Sequence, residues 1–249
     1  MTVSESSKGV CLVVGAGDAT GGAIARRFAR EGFTACVTRR SADKLATLVE
    51  QIRSAGGKVH AFGSDARKKD DVVDLVEEIE TTIGHIEVLV FNIGANAAAS
   101  ILEETARKYF KIWEMACFSG FLNAREVAKR MAQRQRGTIL FTGATAGLRG
   151  ASGFAAFAGA KHGIRALAQS MARELGPKNI HVGHLIIDSG VDTEWVRQRR
   201  IEALGPGALD NPDLLMPPSS VAESYWLLYQ QPRSAWTFEL EIRPFGEKW

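Results

Sequence analysis

Apolar residues along the chain come in two textures. Short unbroken runs, such as Val10-Cys11-Leu12-Val13-Val14 and Val88-Leu89-Val90-Phe91, read as strands covered on both faces, as in a parallel sheet. Between them lie stretches whose apolar positions recur at helical spacing. Ile24 and Phe28 share one face of Ala23–Arg30, and Ile164, Leu167, Ala168, Met171 and Leu175 form a stripe along a helix that opens at Ala155 and stops at Gly176-Pro177. The same pattern predicts strands at Ala35–Thr38, Val59–Asp65, Thr138–Thr142 and Ile180–Ile187. It predicts helices at Asp43–Arg53, Asp70–Thr82, within Trp113–Gln135 and at Val221–Gln230, and alternation over Trp236–Ile242 predicts a closing strand. Strands alternating with helices imply an α/β fold: a Rossmann-type doubly wound parallel sheet of about seven strands with helices on both faces.

The length of 249 residues, 45% hydrophobic and 24% charged, fits one such domain over 9–249 behind a polar, Ser-rich tail over 1–8. The net charge of +3 is small, and its arginines and lysines form no stripe interleaved with aromatics, which argues against nucleic acid as a partner. No apolar run approaches the ~18 residues of a membrane span, so no membrane partner is expected. Cys11, Cys36 and Cys117 are odd in number and set among apolar residues, which fits buried thiols in a cytoplasmic protein. His181 and His184 point to opposite faces of their strand, so no metal site is expected.

The first strand runs into Gly15, Gly17, Gly21 and Gly22, and then into a helix. Small residues let the backbone approach a pyrophosphate, whose charge meets free N–H groups and the positive end of the helix dipole. Gly15, Gly17, Asp18, Thr20 and Gly21 are therefore candidate cofactor contacts, although the Asp18 carboxylate could repel a phosphate. Arg39-Arg40 ends the second strand where an acid would bond the ribose hydroxyls of NAD; guanidinium groups suit a 2′-phosphate, so NADP(H) is favoured over NAD(H). A solvated arginine pair opening the next helix is the alternative.

Gly143-Ala144-Thr145-Ala146-Gly147, followed by Phe157-Ala158-Gly159-Ala160-Lys161, resembles the catalytic core of the short-chain dehydrogenase/reductase family, in which a serine precedes a Tyr-x-x-x-Lys helix. The resemblance spans roughly residues 9–242. Gly15 and Gly21 match the outer glycines of the family's Gly-x-x-x-Gly-x-Gly turn, with Ala19 at the middle one. Asp65 matches an aspartate that approaches the adenine, unless it caps the following helix. Asn92-Ile93-Gly94-Ala95 is similar to the Asn-Asn-Ala-Gly turn, with Asn92 tying strands together and Gly94 admitting the cofactor. Thr193 is the best match to the threonine of Pro-Gly-x-x-x-Thr. The charged, then Gly/Pro/Asp-rich segment near 194–216 stands where the family carries a variable substrate lid, or is a plain surface excursion. A homodimer or homotetramer is also implied.

The departures cluster on proton handling. Ala144 stands at the serine, Phe157 at the tyrosine and Cys117 at the asparagine of the proton relay, while Lys161 remains; the resemblance makes Lys161 a cofactor contact that bonds the nicotinamide ribose, unless it is a solvated helix lysine. A phenyl ring has no titratable hydrogen, so the candidate catalytic residues are Lys161, with Phe157 beside it, and Thr145, whose hydroxyl can only hydrogen-bond. Loss of general acid–base catalysis removes about 10²–10⁴ in rate, which predicts a slow enzyme rather than a dead one. His162 lies ~100° around the helix from Lys161. The expected function is an NAD(P)(H)-dependent oxidoreductase moving hydride to or from a small carbonyl or alcohol substrate with a non-standard proton donor. The alternative is a catalytically silent dinucleotide-binding sensor or regulatory subunit. No Gly-x-Ser-x-Gly elbow or phosphate-loop lysine motif supports another enzyme class.

Overall fold

Seven parallel strands assemble in the order β3-β2-β1-β4-β5-β6-β7 in the computed structural model, which describes residues 8–247. The expected tail therefore lies, but for Lys8, outside the described residues. The strands are β1 (Val10–Val14), β2 (Thr34–Arg39), β3 (Lys58–Gly63), β4 (Ile86–Phe91), β5 (Gly137–Thr142), β6 (Ile180–Ile187) and β7 (Glu239–Ile242). The principal helices are α1 (Thr20–Arg30), α2 (Ala46–Ser54), α3 (Lys69–Thr82), α4 (Ala106–Trp113), α5 (Ser119–Arg134), α6 (Ala155–Leu175), α7 (Glu194–Leu204) and α8 (Pro218–Gln230). The expected α/β sheet is present, and its order reverses between β1 and β4. That reversal opens a crevice beyond the carboxyl ends of the strands, the place where such sheets bind ligands.

Continuous burial of β1, β4 and β6 follows from helices packed on both faces. On one face Phe28 of α1, Phe33 and Leu45 meet Tyr225 and Trp226 of α8. On the other, Leu75 and Ile79 of α3, Phe91, Phe141 and Val182 of the sheet and Ile164 of α6 form a second layer. Each such side chain contributes about 1.5–3 kcal/mol by leaving water. Phe28 sits edge-on to Phe33 and Trp226, with centroids 5.5 and 5.3 Å away.

Two local expectations need correction. The closing strand begins at Glu239 rather than Trp236, because the indole of Trp236 stacks on His181 at 5.0 Å and the Thr237 N–H donates to Gln231 Oε1 instead of to a strand. The helical stretch 113–135 is also interrupted: Glu114–Phe118 form one π-helical turn between α4 and α5, and Cys117 lies on it. Such turns re-aim side chains and recur at functional sites. As expected, Cys11, Cys36 and Cys117 are buried free thiols. Among the described residues no group of His, Cys, Asp or Glu is placed to hold a metal, and no helix is long and apolar enough to cross a membrane.

Candidate active site

The carboxyl ends of β1, β4 and β5 are bound together by side chains. Asn92 follows β4; its amide nitrogen donates to Gly15 O at 3.2 Å, and its amide oxygen accepts from Thr142 Oγ1 at 3.0 Å. Thr142 in turn lies 2.6 Å from the hydroxyl of Tyr225, which is fully buried, and burial pushes that phenol above its ordinary pKa. The glycine turn fits beneath this link. Gly15 has φ +88°, and a Cβ there would lie 2.8 Å from Ile93 Cγ1. At Gly21 a Cβ would come within 2.5 Å of Gly15 O, so the helix seats directly on the turn.

Two connected hollows share Asn92 and Gly94 in their linings. The first, about 350 Å³, runs past Gly15, Gly17, Arg39, Arg40, Asp65 and Arg67. Gly17 faces open space, and α1 carries no side-chain cap, so its first-turn N–H groups are presented to an anion. These features fit a dinucleotide: the turn and helix end would hold the pyrophosphate, and the arginines a ribose phosphate. Asp65 does not cap α3, whose first residue follows Lys68. Instead Arg67 grips both oxygens of Asp65, at 2.8 and 2.6 Å, and holds its carboxyl down to about 2. Asp18 is exposed, outside either lining, and its charge acts on Arg26 rather than on the hollow.

The second hollow, about 510 Å³, is lined by Thr20, Asn96, Ala144, Thr145, Arg149, Phe154, Phe157, Lys161, Ile187 and Ser189 among others. Lys161, only 3% exposed, forms part of its floor. Its Nζ donates to Thr142 O at 2.7 Å and Ile93 O at 3.4 Å, and lies 5.9 Å from the centroid of the Phe157 ring. Burial lowers the ammonium to about 8, with Cys117 opposing weakly; burial raises the Cys117 thiol, with Lys161 opposing. Phe157, Ala156, Ala160 and Cys117 form a small apolar cluster against which Ala144 packs. His162 is exposed and turned back onto Ala158 O.

A family model described as short chain dehydrogenase matches residues 9–203. The chain belongs to this family. A short-chain dehydrogenase from Rhodopseudomonas palustris is 50% identical and superposes with a TM-score of 0.82, covering 95% of this chain and 98% of that one. A variant of the actinorhodin polyketide ketoreductase with NADPH superposes with a TM-score of 0.87 at 25% identity, over 98% of both chains. A 3beta-hydroxysteroid dehydrogenase of Mediterraneibacter gnavus is 32% identical over 185 residues, which is 74% of this chain and 66%, just under two thirds, of that enzyme.

As a short-chain dehydrogenase, the chain brings together Gly15, Gly17, Arg39, Arg40, Asp65, Asn92 and Gly94 along one hollow and Thr20, Thr145, Phe157 and Lys161 along the other. Thr193 is placed differently. Its hydroxyl accepts from Val196 N as the cap of α7, outside both linings, while Ile187 and Ser189 line the larger cavity. Sequence reasoning missed Arg67, Arg149 and Tyr225. The first had a signal in the Asp65-Ala66-Arg67 spacing, and the second in being a lone cation within a glycine- and alanine-rich loop. Tyr225 carried no signal, since only packing brings α8 beneath Thr142.

Proposed function

We propose that this chain is an NADP(H)-dependent oxidoreductase acting on a small carbonyl or alcohol, with Lys161 carrying the proton that a tyrosine carries in its relatives. One observation bears most of the weight: a buried ammonium whose hydrogen-bond partners among the described residues are backbone carbonyls, on the floor of a cavity that shares Asn92 and Gly94 with an arginine-lined groove. When bound, the nicotinamide supplies or accepts the hydride. The protein's part is the rest. The glycine turn and α1 orient the phosphates, and Asn92 keeps the three strand ends in register. Phe157 and Ala144 wall off water, and Lys161 Nζ presents a proton to the oxygen left negative on the substrate. That proton comes back from solvent once product leaves. With its ammonium at about 8, Lys161 has both protonation states accessible near neutrality, as an acid–base group requires.

The preference for NADP(H) is supported by Arg39 and Arg40 in the lining at the end of β2, and by the NADPH complex of a 25% identical relative. Assembly into a homodimer or homotetramer is supported by exposed Tyr109 and Phe110 on α4, beside exposed Ile101 and Leu102. A lid role for 194–216 belongs to the same proposal: α7 buries no residue of its own, so little holds it down. Buried free thiols suit the reducing cytoplasm. Calorimetric titration of NADPH and NADH into the wild type and Lys161→Ala, with turnover followed across aldehydes, ketones and enones, tests the core of this. NADPH is expected to bind about 10- to 100-fold tighter than NADH, and Lys161→Ala to lose turnover. Cofactor binding with no turnover on any substrate overturns the enzyme in favour of a silent binding protein.

A further inference from the structure

The larger cavity has one cation at its floor and one at its wall. The floor cation, Lys161, has its ammonium engaged by the carbonyls of Thr142 and Ile93. Around it the lining is uncharged: Ala144, Ala146, Ala151, Phe154, Phe157 and Ile187 are apolar, and Thr20, Asn96, Thr145 and Ser189 offer neutral hydrogen-bonding groups but no charge to match an anion. The wall cation is Arg149, whose side chain is 63% exposed although the residue lines the cavity. Among the described residues its ion-pair partner is Asp188, reached by a single N–H at a long 3.3 Å. A guanidinium presents two parallel donors to a carboxylate when geometry allows, and here that capacity is unused.

Asp188 sits just beyond β6, with its side chain 6% exposed, so it needs a cation nearby. It has a second one. Arg243 lies 3.6 Å from the other carboxylate oxygen. Arg243, which also pairs with Glu241, stays beside Asp188 if Arg149 turns into the cavity, so the buried carboxylate keeps a shared cation, and Asp188 shows what kind of group the Arg149 guanidinium binds.

We propose that the substrate is an oxo acid, or the corresponding hydroxy acid, whose carboxylate is taken by Arg149 while its reacting oxygen faces Lys161. This rests on the oxidoreductase reading above and adds the substrate class to it. The arrangement sorts by charge: a neutral carbonyl compound finds apolar walls and uncharged hydroxyls and amides, whereas the acid also gains a charge-assisted pair with Arg149.

The test compares acetoacetate and levulinate with their methyl esters under saturating NADPH, in the wild type, Arg149→Met and Arg149→Lys. A charge-assisted hydrogen bond corresponds to about a 10- to 100-fold preference. The acid-to-ester ratio of kcat/KM is expected to reach that range for the better-fitting acid in the wild type. It should fall toward unity in Arg149→Met and recover in part in Arg149→Lys, with the change in KM rather than kcat. Calorimetry of the acids against the NADP⁺-loaded protein runs in parallel. Acid binding that depends on Arg149 without any turnover sustains the carboxylate site and overturns the oxidoreductase reading instead. Esters turned over as well as acids, a ratio that survives Arg149→Met, or no detectable acid binding each overturn the proposal.

Discussion

Replacing Lys161 with methionine is expected to stabilise the apo protein at neutral pH while removing the proton-bearing group. The ammonium is 3% exposed, and its hydrogen-bond partners are the carbonyls of Thr142 and Ile93. Burial lowers it from the ordinary 10.5 to about 8, the nearby Cys117 opposing only weakly. At about 1.36 kcal/mol per pH unit, the charged form costs the fold about 3 kcal/mol below pH ~8, where folded and unfolded chains are both protonated. Between about 8 and 10.5 the unfolded chain binds the extra proton, so wild-type stability rises with pH across that window; above 10.5 the penalty has gone. Methionine fills a similar volume but leaves two buried carbonyls short of a donor, offsetting about 1 kcal/mol each. The net expectation at pH 7 is a gain of about 1 kcal/mol, or about 2–4 °C in Tm for a chain of this size. Urea unfolding of both proteins at about pH 7 and about pH 10 reads the stronger signal, the pH slope: the wild type should gain on the variant by up to about 3 kcal/mol across the window. Parallel slopes in the two proteins refute the reasoning, as does a variant more than about 2 kcal/mol less stable at pH 7.

The same titration sets the direction of the pH–rate profile. Carbonyl reduction needs the ammonium form of Lys161, so kcat should fall as pH rises through about 8, and alcohol oxidation, which needs the free amine, should rise through the same region; flat profiles for both remove Lys161 from the proton step. Phe157→Tyr combined with Ala144→Ser restores a phenol and a hydroxyl to the cavity wall one helical turn from Lys161, and should raise carbonyl reduction by about 10²–10⁴-fold on the acids and esters named above. No gain means that the substrate oxygen does not sit at that turn of α6.

How much of this was legible in the sequence depended on whether the signal was local. Val10–Val14, Val88–Phe91 and the stripe from Ile164 to Leu175 declared themselves because a doubly covered strand and an amphipathic helix each write a period into adjacent residues. Asn92 was legible because its turn lies beside Gly94, and the bonds to Gly15 O and Thr142 Oγ1 are the strand tie expected of it. Thr193 stands before a charged helix and serves as its cap, a role that needs only its own backbone. Tyr225 was hidden for another reason, and so was the pairing of Arg149, which the sequence marks only as a lone cation in its loop. Each acquires meaning from a partner far along the chain, Thr142 for one and Asp188 for the other, and no period or spacing reports such pairs.

Lys161 also bears on whether the losses at Ala144 and Phe157 mark a decayed site. For folding alone this ammonium is a net cost at neutral pH, even with its two carbonyl partners. It is desolvated, bonded to two carbonyls without a matching carboxylate among those partners, and destabilising at neutral pH. The neighbouring replacements act in the opposite sense: Ala144, Cys117 and Phe157 join Ala156 and Ala160 in a packed apolar cluster that costs the fold nothing. A site relaxing toward stability would be expected to replace the buried cation as it replaced the hydroxyls. Instead the cation stays on the floor of the larger hollow, with its titration brought near neutrality, where an amine can do the proton work of the missing phenol.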